Sequence, residues 1–291
     1  MDRHGLALDP TCYRPAVRVH HLDCLTLCPP SPRLVHGRGS WLGRGRLVCH
    51  VLLVETDAHG LVLVDTGIGL DDCRDPRGRL GGAFASMLGP GGAPETATAT
   101  RQLEARGFRP GDVRHIVLTH LDLDHAGGLP DFPHATVHVM ADEHAAAMAP
   151  TRAERARYRA TQWAHGPRWS LHRAAGEAWR GFSAVRGLDG LPPELLLVPL
   201  SGHTRGHAAV AVETPAGPML HCGDAYFHGA CVDRTRGDVP LGMRLFEGLV
   251  AVDRRRVEEN HARLRALAAG GDVRVFCAHD PEEFARAIDG R

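Results

Sequence analysis

Short apolar runs separated by polar turns make up most of the chain. The runs at residues 47–55 and 61–64 flank a turn that ends in Gly60, and they predict a β-hairpin. The runs at residues 208–213 and 219–221 flank a turn with Pro and Gly and predict a second hairpin. Single buried strands are predicted where further runs have the length and composition of a strand, at residues 115–118, 135–140, 195–200 and 273–278.

Longer periodic segments predict helices between and after these strands. Apolar residues at helical spacing predict an amphipathic helix over residues 95–106 and another helix over residues 252–269. Asp280 followed by Pro281 has the pattern of an N-cap and a first helical position, so a final helix is expected there. Residues 71–92 are rich in Gly and charge and predict a long loop with room for one short helix.

The segment from residue 141 to about 179 is rich in Arg and Ala and predicts a helical insertion, which we bound at about residues 141–190. Tyr158 and three tryptophans, Trp163, Trp169 and Trp179, lie in it. Aromatic residues in an insertion most often pack it onto the core. Lining a substrate pocket is the alternative.

The order of these elements predicts the architecture. Residues 1–33 are interpreted as an N-terminal arm, with an edge strand within residues 17–27 that covers a sheet. Residues 34–291 are interpreted as a single domain. Hairpins followed by strand–loop–helix units occur twice, which indicates an α/β (α+β) fold with two packed sheets and helices outside them.

The most informative stretch follows the predicted strand at residues 115–118. It places His120, Asp122, Asp124 and His125 within six residues and ends in two glycines. A polar loop at a strand end would explain any one of these side chains. Two imidazoles and two carboxylates together are more than a turn requires, and both groups are preferred ligands of divalent cations. The stretch therefore predicts a metal site.

Similar side chains follow the other predicted strands: Asp65, His203, Asp224 and His279. Sites assembled from the ends of several strands are common in α/β scaffolds. Asp65, next to Thr66 and Gly67, could be a metal ligand, a hydrogen-bond partner of a ligand or a turn former. We favour the hydrogen-bond partner, because ligands need buried acceptors to orient them.

Composition narrows the class of protein. The formal net charge is zero, so no overall field favours nucleic acid or an anionic membrane. The chain has no lysine, which excludes Schiff-base lysine chemistry. Its eight cysteines form no paired CxxC clusters, and no signal peptide or membrane-spanning run is recognised. We therefore expect a cytoplasmic protein with a small-molecule substrate.

The ordered motifs resemble those of the metallo-β-lactamase superfamily. The resemblance runs from about residue 47 to residue 291, and its motifs stand in the family's order at residues 64–67, 119–128, 202–207, 223–224 and 278–280. It implies a four-layer αββα sandwich with two divalent metal ions, most often Zn, with Mn or Fe as alternatives. Seven ligands are implied: His120, Asp122 and His203 for one ion, Asp124, His125 and His279 for the other, and Asp224 between them.

The resemblance also implies a mechanism. A metal-bridging hydroxide would attack the substrate, and the ions would polarise the substrate oxygen. Asp124 would orient the hydroxide and pass a proton to the leaving group. Tyr226 would either donate a hydrogen bond to the oxyanion or serve only in packing. His207 stands where the family has a structural histidine, so it is left out of the ligand set.

Asp122 departs from the family's usual HxHxDH pattern, because it replaces the middle histidine. Two divalent cations, three carboxylates and a hydroxide then sum to zero rather than to one positive charge. This count predicts a less acidic bound water and a harder site, more tolerant of Mn or Fe. Some phosphodiesterases of the superfamily also carry a carboxylate here.

The overall layout is most similar to the N-acyl homoserine lactonase-like and glyoxalase II-like hydrolases. The resemblance therefore implies a metal-dependent hydrolase of a lactone, ester or thioester. Two alternatives stay open: a phosphodiesterase of the same fold, and a non-catalytic metal-binding sensor or partner protein. The oligomeric state is also open, and the insertion or the arm could serve a homodimer interface.

Overall fold

The computed structural model describes residues 17–88, 92–174, 176, 178–184 and 187–290. The strands of this part of the chain are β1 (Arg18–Asp23), β2 (His50–Thr56), β3 (Gly60–Val64), β4 (Val113–Val117), β5 (Thr136–Met140), β6 (Arg168–His172), β7 (Ala178–Trp179), β8 (Phe182–Ser183), β9 (Leu195–Pro199), β10 (Ala208–Thr214), β11 (Gly217–His221) and β12 (Arg274–Phe276).

The helices of the described residues are α1 (Pro32–His36), α2 (Leu70–Arg74), α3 (Pro76–Leu80), α4 (Gly82–Ala85), α5 (Ala99–Glu104), α6 (Ala141–Met148), α7 (Leu241–Val250), α8 (Arg254–Ala269) and α9 (Pro281–Ile288). Asp280 caps α9 as predicted, because its side chain accepts hydrogen bonds from the backbone of Glu282 and Glu283. The long loop predicted at residues 71–92 instead contains three short helices, and α7 was not predicted.

Two sheets carry the fold. The first has six strands in the order β1-β2-β3-β4-β5-β6, antiparallel up to β3 and parallel from β3 onwards. The second has four strands in the order β12-β11-β10-β9, with the β11–β12 pair parallel. Both predicted hairpins are present, as β2–β3 and β10–β11.

The core is divided into layers by these sheets. Leu52 and Val64 of the first sheet pack with Leu197 and Val210 of the second in one buried apolar cluster between them. Leu103 of α5 packs on the outer face of the first sheet in a second cluster. Leu264 of α8, with Leu196 and Ala209, packs on the outer face of the second sheet. The predicted αββα sandwich is therefore confirmed.

The segment after β5 differs from the predicted helical insertion. Among the described residues of that segment, α6 is the one α-helix, and it is followed by two 3-10 turns at Glu154–Ala156 and Ala160–Gln162 and then by strands. Pro150 follows the end of α6, and a residue before proline is disfavoured in the helical conformation. The β6 strand pairs in parallel with β5, so this part of the predicted insertion is the edge of the main sheet.

The predicted N-terminal arm contains the edge strand expected from the sequence. The edge strand expected within residues 17–27 is present as β1, paired with β2 from Arg18 opposite Glu55 to Asp23 opposite His50. These residues form the edge of the first sheet, and the division into an arm at residues 1–33 and a domain at residues 34–291 stays a prediction. Residues 1–16 of the predicted arm lie outside the described part of the chain. In that part, no helix combines the length and the hydropathy that a membrane span requires.

Candidate metal centre

The candidate centre lies where strands of both sheets end on the same side. Asp65 follows β3, the loop at residues 119–125 follows β4, and His203 follows β9. Asp224 and His279 follow β11 and β12 in the second sheet. All seven residues predicted as ligands are buried side by side, which sequence order alone does not require.

Four of the seven side chains form one group around Asp224 Oδ2. His120 Nε2 lies 3.7 Å and His203 Nε2 3.4 Å from this oxygen. Asp122 Oδ2 lies 3.0 Å from His203 Nε2 and 3.6 Å from His120 Nε2. These spacings are typical of ligands that share a single ion.

The other carboxylate oxygen of Asp224 faces a second group. His279 Nε2 lies 3.1 Å and His125 Nε2 3.3 Å from Asp224 Oδ1. Asp124 Oδ2 lies 3.7 Å from His279 Nε2. Asp224 is thus the one residue of this set whose two oxygens face both groups.

Unpaired buried atoms test whether these residues fit two cations. Nε2 of His120 and of His125, Oδ1 of Asp122 and Oδ1 of Asp224 are buried, and none has a hydrogen bond of acceptable geometry. Buried polar atoms are almost always paired, so four orphans within one cluster need an explanation. Three carboxylates facing imidazole nitrogens are a donor set for divalent cations, and the residues therefore fit the expected group.

The imidazoles are oriented by hydrogen bonds from their other nitrogen. His125 Nδ1 lies 2.9 Å from Asp65 Oδ2, and His279 Nδ1 lies 2.7 Å from the carbonyl oxygen of Val48. His120 Nδ1 lies 2.9 Å from the Thr119 hydroxyl. Such partners fix the ring and direct Nε2 inward. Asp65 is therefore a hydrogen-bond partner of a candidate ligand, as favoured from the sequence.

His207 supports Asp224 rather than joining the cluster. Its Nδ1 lies 3.1 Å from the carbonyl oxygen of Leu200, and its Nε2 accepts a hydrogen bond from the backbone N–H of Asp224 at 3.0 Å. Both ring nitrogens are therefore occupied by the backbone. These contacts agree with the structural role that the family resemblance implies for His207.

The electrostatics favour ionised carboxylates. Burial raises the pKa of Asp224, but the facing His279 and His125 outweigh it and hold that pKa well below its ordinary value. Burial likewise raises the pKa of Asp122, and Arg157 and His120 outweigh it in the same way. Burial lowers the pKa of His125, yet the charges of Asp224 and Asp65 raise it well above its ordinary value. The cluster thus attracts positive charge, whether protons or metal.

Glu143 was missed in the sequence and holds two candidate ligand loops together. Its Oε1 accepts hydrogen bonds from the backbone of Leu121 at 2.9 Å and from the hydroxyl of Tyr158 at 3.1 Å. Its Oε2 accepts from the hydroxyl of Thr204 at 2.6 Å and from the backbone of Gly206 at 3.1 Å. A buried carboxylate with four donors positions both His120 and His203. The first turn of a helix after a strand gave no signal for this role.

The absence of a side chain at Gly206 permits its backbone to approach Glu143. A Cβ built on Gly206 would collide with the backbone of Glu143 at its nitrogen and Cα. Since both contact atoms are backbone, a side chain there would push the His203 loop away from α6. Glycine at this position is therefore needed for close approach rather than for a special backbone angle.

Tyr226 does not have the oxyanion-binding role considered from the sequence. Its ring is fully buried beneath the second sheet, and its hydroxyl donates to Glu283 of α9 at 3.2 and 3.3 Å. Cys222 and Cys277 lie in the same apolar cluster. The hydroxyl is thus occupied by an interior carboxylate, so we withdraw the oxyanion role and retain the packing role.

Comparison with known proteins identifies the family. The family model described as "Metallo-beta-lactamase superfamily" matches residues 44–279. The chain belongs to the metallo-β-lactamase superfamily.

Two relatives and one solved structure illustrate its place there. The chain is similar to a protein of Mycobacterium tuberculosis named as a probable metallo-hydrolase, at 47% identity over 98% of this chain and 87% of that one. It is also similar to the N-acyl homoserine lactonase AttM of Agrobacterium fabrum, at 29% identity over 79% of this chain and 81% of the relative. A structure of an N-acyl homoserine lactone hydrolase with bound N-hexanoyl-L-homoserine shares the fold, with TM-score 0.68, 20% identity, and coverage of 91% and 94%.

Aromatic residues border the centre of this superfamily member on one side. The Phe227 ring stacks on the His279 imidazole, with centroids 5.5 Å apart, and contacts His203 edge-on at 5.7 Å. Phe246 of α7 packs edge-on against Phe227 at 5.2 Å. The helix missed in the sequence therefore reaches the candidate ligands through two phenylalanines.

The tryptophans of the predicted insertion follow the packing interpretation. Trp163 and Trp169 are partly buried against the core cluster of the first sheet. Trp179 is buried in the cluster beneath the second sheet, and its indole N–H donates to Glu213 at 2.9 Å. These contacts account for the three side chains without a substrate.

Proposed function

We propose that this chain is a dinuclear metal-dependent hydrolase that opens a lactone or cleaves an ester or thioester. The two-sided arrangement around Asp224 carries the proposal. His120, Asp122 and His203 would hold one ion through the Oδ2 side of Asp224, and Asp124, His125 and His279 would hold the other through the Oδ1 side. Zn is the ion that this set favours, with Mn or Fe as alternatives.

When bound, such ions would supply Lewis-acid polarisation of the scissile carbonyl and a water that ionises near neutral pH. The remaining roles belong to side chains. Asp124 is buried in the second group, where its Oδ2 lies 3.7 Å from His279 Nε2. In our proposal it orients the attacking water and then passes its proton to the leaving alkoxide or thiolate.

The surroundings favour a substrate with an apolar acyl group. Leu245, Phe246 and Leu249 are exposed on α7, and Phe246 contacts Phe227, which in turn contacts two candidate ligands. An apolar chain lying along α7 would cover these side chains. The naming of AttM as an N-acyl homoserine lactonase agrees with this substrate class.

Metal content and turnover test the proposal together. Protein purified without chelator should contain about two equivalents of metal bound by nitrogen and oxygen ligands. Metal-loaded protein is assayed with a series of acyl lactones of increasing chain length and with a bis-phenyl phosphodiester. It should hydrolyse the lactones faster than the phosphodiester. Asp224→Ala should lose at least about 1000-fold in kcat, because the shared ligand is removed. Asp238→Ala, at an exposed aspartate, is the matched control.

Each other result has a definite meaning. Faster cleavage of the phosphodiester would replace the lactone assignment with the phosphodiesterase alternative. Stoichiometric metal without turnover of any ester, thioester, lactone or phosphodiester would favour the sensor or partner protein. Full activity of Asp224→Ala would contradict the dinuclear arrangement.

A further inference from the structure

A second cluster of metal-binding side chains lies outside the centre described above. Cys231 stands at the end of the turn Gly229–Cys231, Glu247 lies on α7 and His261 lies on α8. One ligand atom from each lies within 4.8 Å of the others. None of the three has a part in the proposed hydrolysis. We propose that Cys231, Glu247 and His261 form a third metal site, selective for zinc-like ions.

The crowding around one nitrogen is the first support. His261 Nε2 lies 2.7 Å from Glu247 Oε1 and 3.0 Å from the carbonyl oxygen of Ala225. A single N–H proton must therefore face two acceptors. Glu247 Oε1 is itself screened from solvent and has no hydrogen bond of good geometry, despite its short distance to the imidazole. An ion that binds both side chains would satisfy this oxygen.

The chemical types of the three ligands select the ion. Thiolate, imidazole and carboxylate are all ligands of Zn²⁺, and the thiolate disfavours Mg²⁺, Ca²⁺ and Mn²⁺. The hydrolytic centre, by contrast, offers only nitrogen and carboxylate oxygen in its predicted set. A tetrahedral ion would require the His261 and Glu247 atoms to part to roughly 3.4 Å. Rotation of the glutamate side chain supplies this movement.

Burial makes the site dry enough to bind tightly. Cys231 is 4% exposed, and the side chains of Glu247 and His261 are 12% and 14% exposed. The backbone of Cys231 is fixed, since its N–H donates to His228 and its carbonyl accepts from Arg265. Burial, followed by the charge of Glu247, raises the pKa of the Cys231 thiol to about 12. Binding would therefore release a proton from the thiol.

The position of the site suggests what it does. The Ala225 carbonyl that contacts His261 belongs to the residue after Asp224, and Glu247 is next to Phe246 on α7. An ion bound through the lone pair of His261 Nε2 would replace the hydrogen bond to Ala225. It would tie α7 and α8 to Cys231, which lies in the segment that follows Asp224. In our proposal it stabilises the arrangement of the hydrolytic centre without taking part in the reaction.

Cobalt provides the test, because a thiolate bound to Co²⁺ gives a near-ultraviolet charge-transfer band whereas nitrogen and oxygen ligands do not. Full-length protein stripped with chelator and titrated with Co²⁺ should bind a third equivalent and develop this band. Cys231→Ser should abolish the band and lower the stoichiometry by one. Glu247→Gln should weaken the third equivalent at least about tenfold and leave the others unchanged.

Cys49→Ser is the matched control, because the Cys49 thiol lies beside Asp124 and His279 in the hydrolytic centre. That variant should keep the band. A band lost in Cys49→Ser and kept in Cys231→Ser would overturn the proposal, as would saturation without any band. The band is read independently of turnover, so failure of the hydrolase proposal and failure of this one are distinguishable.

Discussion

Arg157 Nε lies 3.4 Å from Oδ1 of Asp122, and both side chains are nearly buried. The same guanidinium donates to the carbonyl oxygens of His203 and Val250 at 2.8 and 2.6 Å. Asp122 is the residue that replaces the family's usual histidine. The positive charge of Arg157 therefore offsets the extra negative charge of Asp122. The net charge of the centre, with Arg157 counted, equals that of a centre with histidine at this position. The charge difference that predicted a less acidic bound water is therefore offset once Arg157 is counted with the ligands.

Removal of Arg157 should destabilise the metal-free protein. Arg157→Gln removes the guanidinium that faces Oδ1 of the buried Asp122 and that anchors two loops, at a cost of about 3 kcal/mol in the free energy of unfolding. Added metal should restore much of this loss, because cations then neutralise Asp122. Urea unfolding with and without metal measures both values. An equal loss in the two states would mean that the effect of Arg157 is not electrostatic.

The carboxylate of Asp122 should affect the relative affinity of the centre for Zn²⁺ and Mn²⁺. Asp122→His should raise the ratio of Zn²⁺ to Mn²⁺ affinity about tenfold, because imidazole is a softer ligand than carboxylate. Competition titrations measure the ratio, with the surface variant Asp238→His as control. An unchanged ratio would show that Asp122 does not contact the metal.

Replacement of Glu143 should affect metal affinity more than chemistry. In Glu143→Gln one of the two accepting oxygens becomes an NH₂ group, which cannot accept a hydrogen bond. The backbone N–H of either Leu121 or Gly206 then faces another donor. We expect metal affinity to fall about 10- to 100-fold, whereas kcat at saturating metal changes little. Glu104→Gln, at an exposed position on α5, is the control. A large fall in kcat with unchanged affinity would instead indicate a direct role in the reaction.

Glu283 should make stability depend on pH. Burial, followed by the negative charge of Asp280, raises the pKa of Glu283 to about 7 in the folded protein. Because the folded state holds this proton more tightly than the unfolded state, the contribution is complete below about pH 4 and is lost as the pH rises through about 7. The free energy of unfolding should fall by about 3 kcal/mol over that range.

Glu283→Gln should remove this slope. Glu282→Gln, which changes the exposed neighbour on the same helix, should retain it. Urea midpoints measured from pH 4 to pH 8 compare the three proteins. The same slope in Glu283→Gln as in the unmodified chain would show that Glu283 does not titrate in this range.

The sequence by itself determined most strands of the two sheets, the layered architecture and the set of candidate ligands. Apolar runs such as those of β4 and β9 record burial directly, since a strand covered on both faces must be apolar throughout. Polar residues placed directly after these runs had to lie at strand ends. His120 and Asp224 could therefore be selected before any distance was known.

Only the tertiary structure decided which side chains meet across the two sheets. Glu143 and Arg157 act through partners 46 to 63 residues away in the chain, at His203 and Gly206, and Tyr226 faces Glu283 rather than the metal site. Local pattern records whether a residue is buried, but not which distant group satisfies its charge or hydrogen bond. That choice depends on packing between layers, because a buried polar atom takes whichever partner the fold brings within reach.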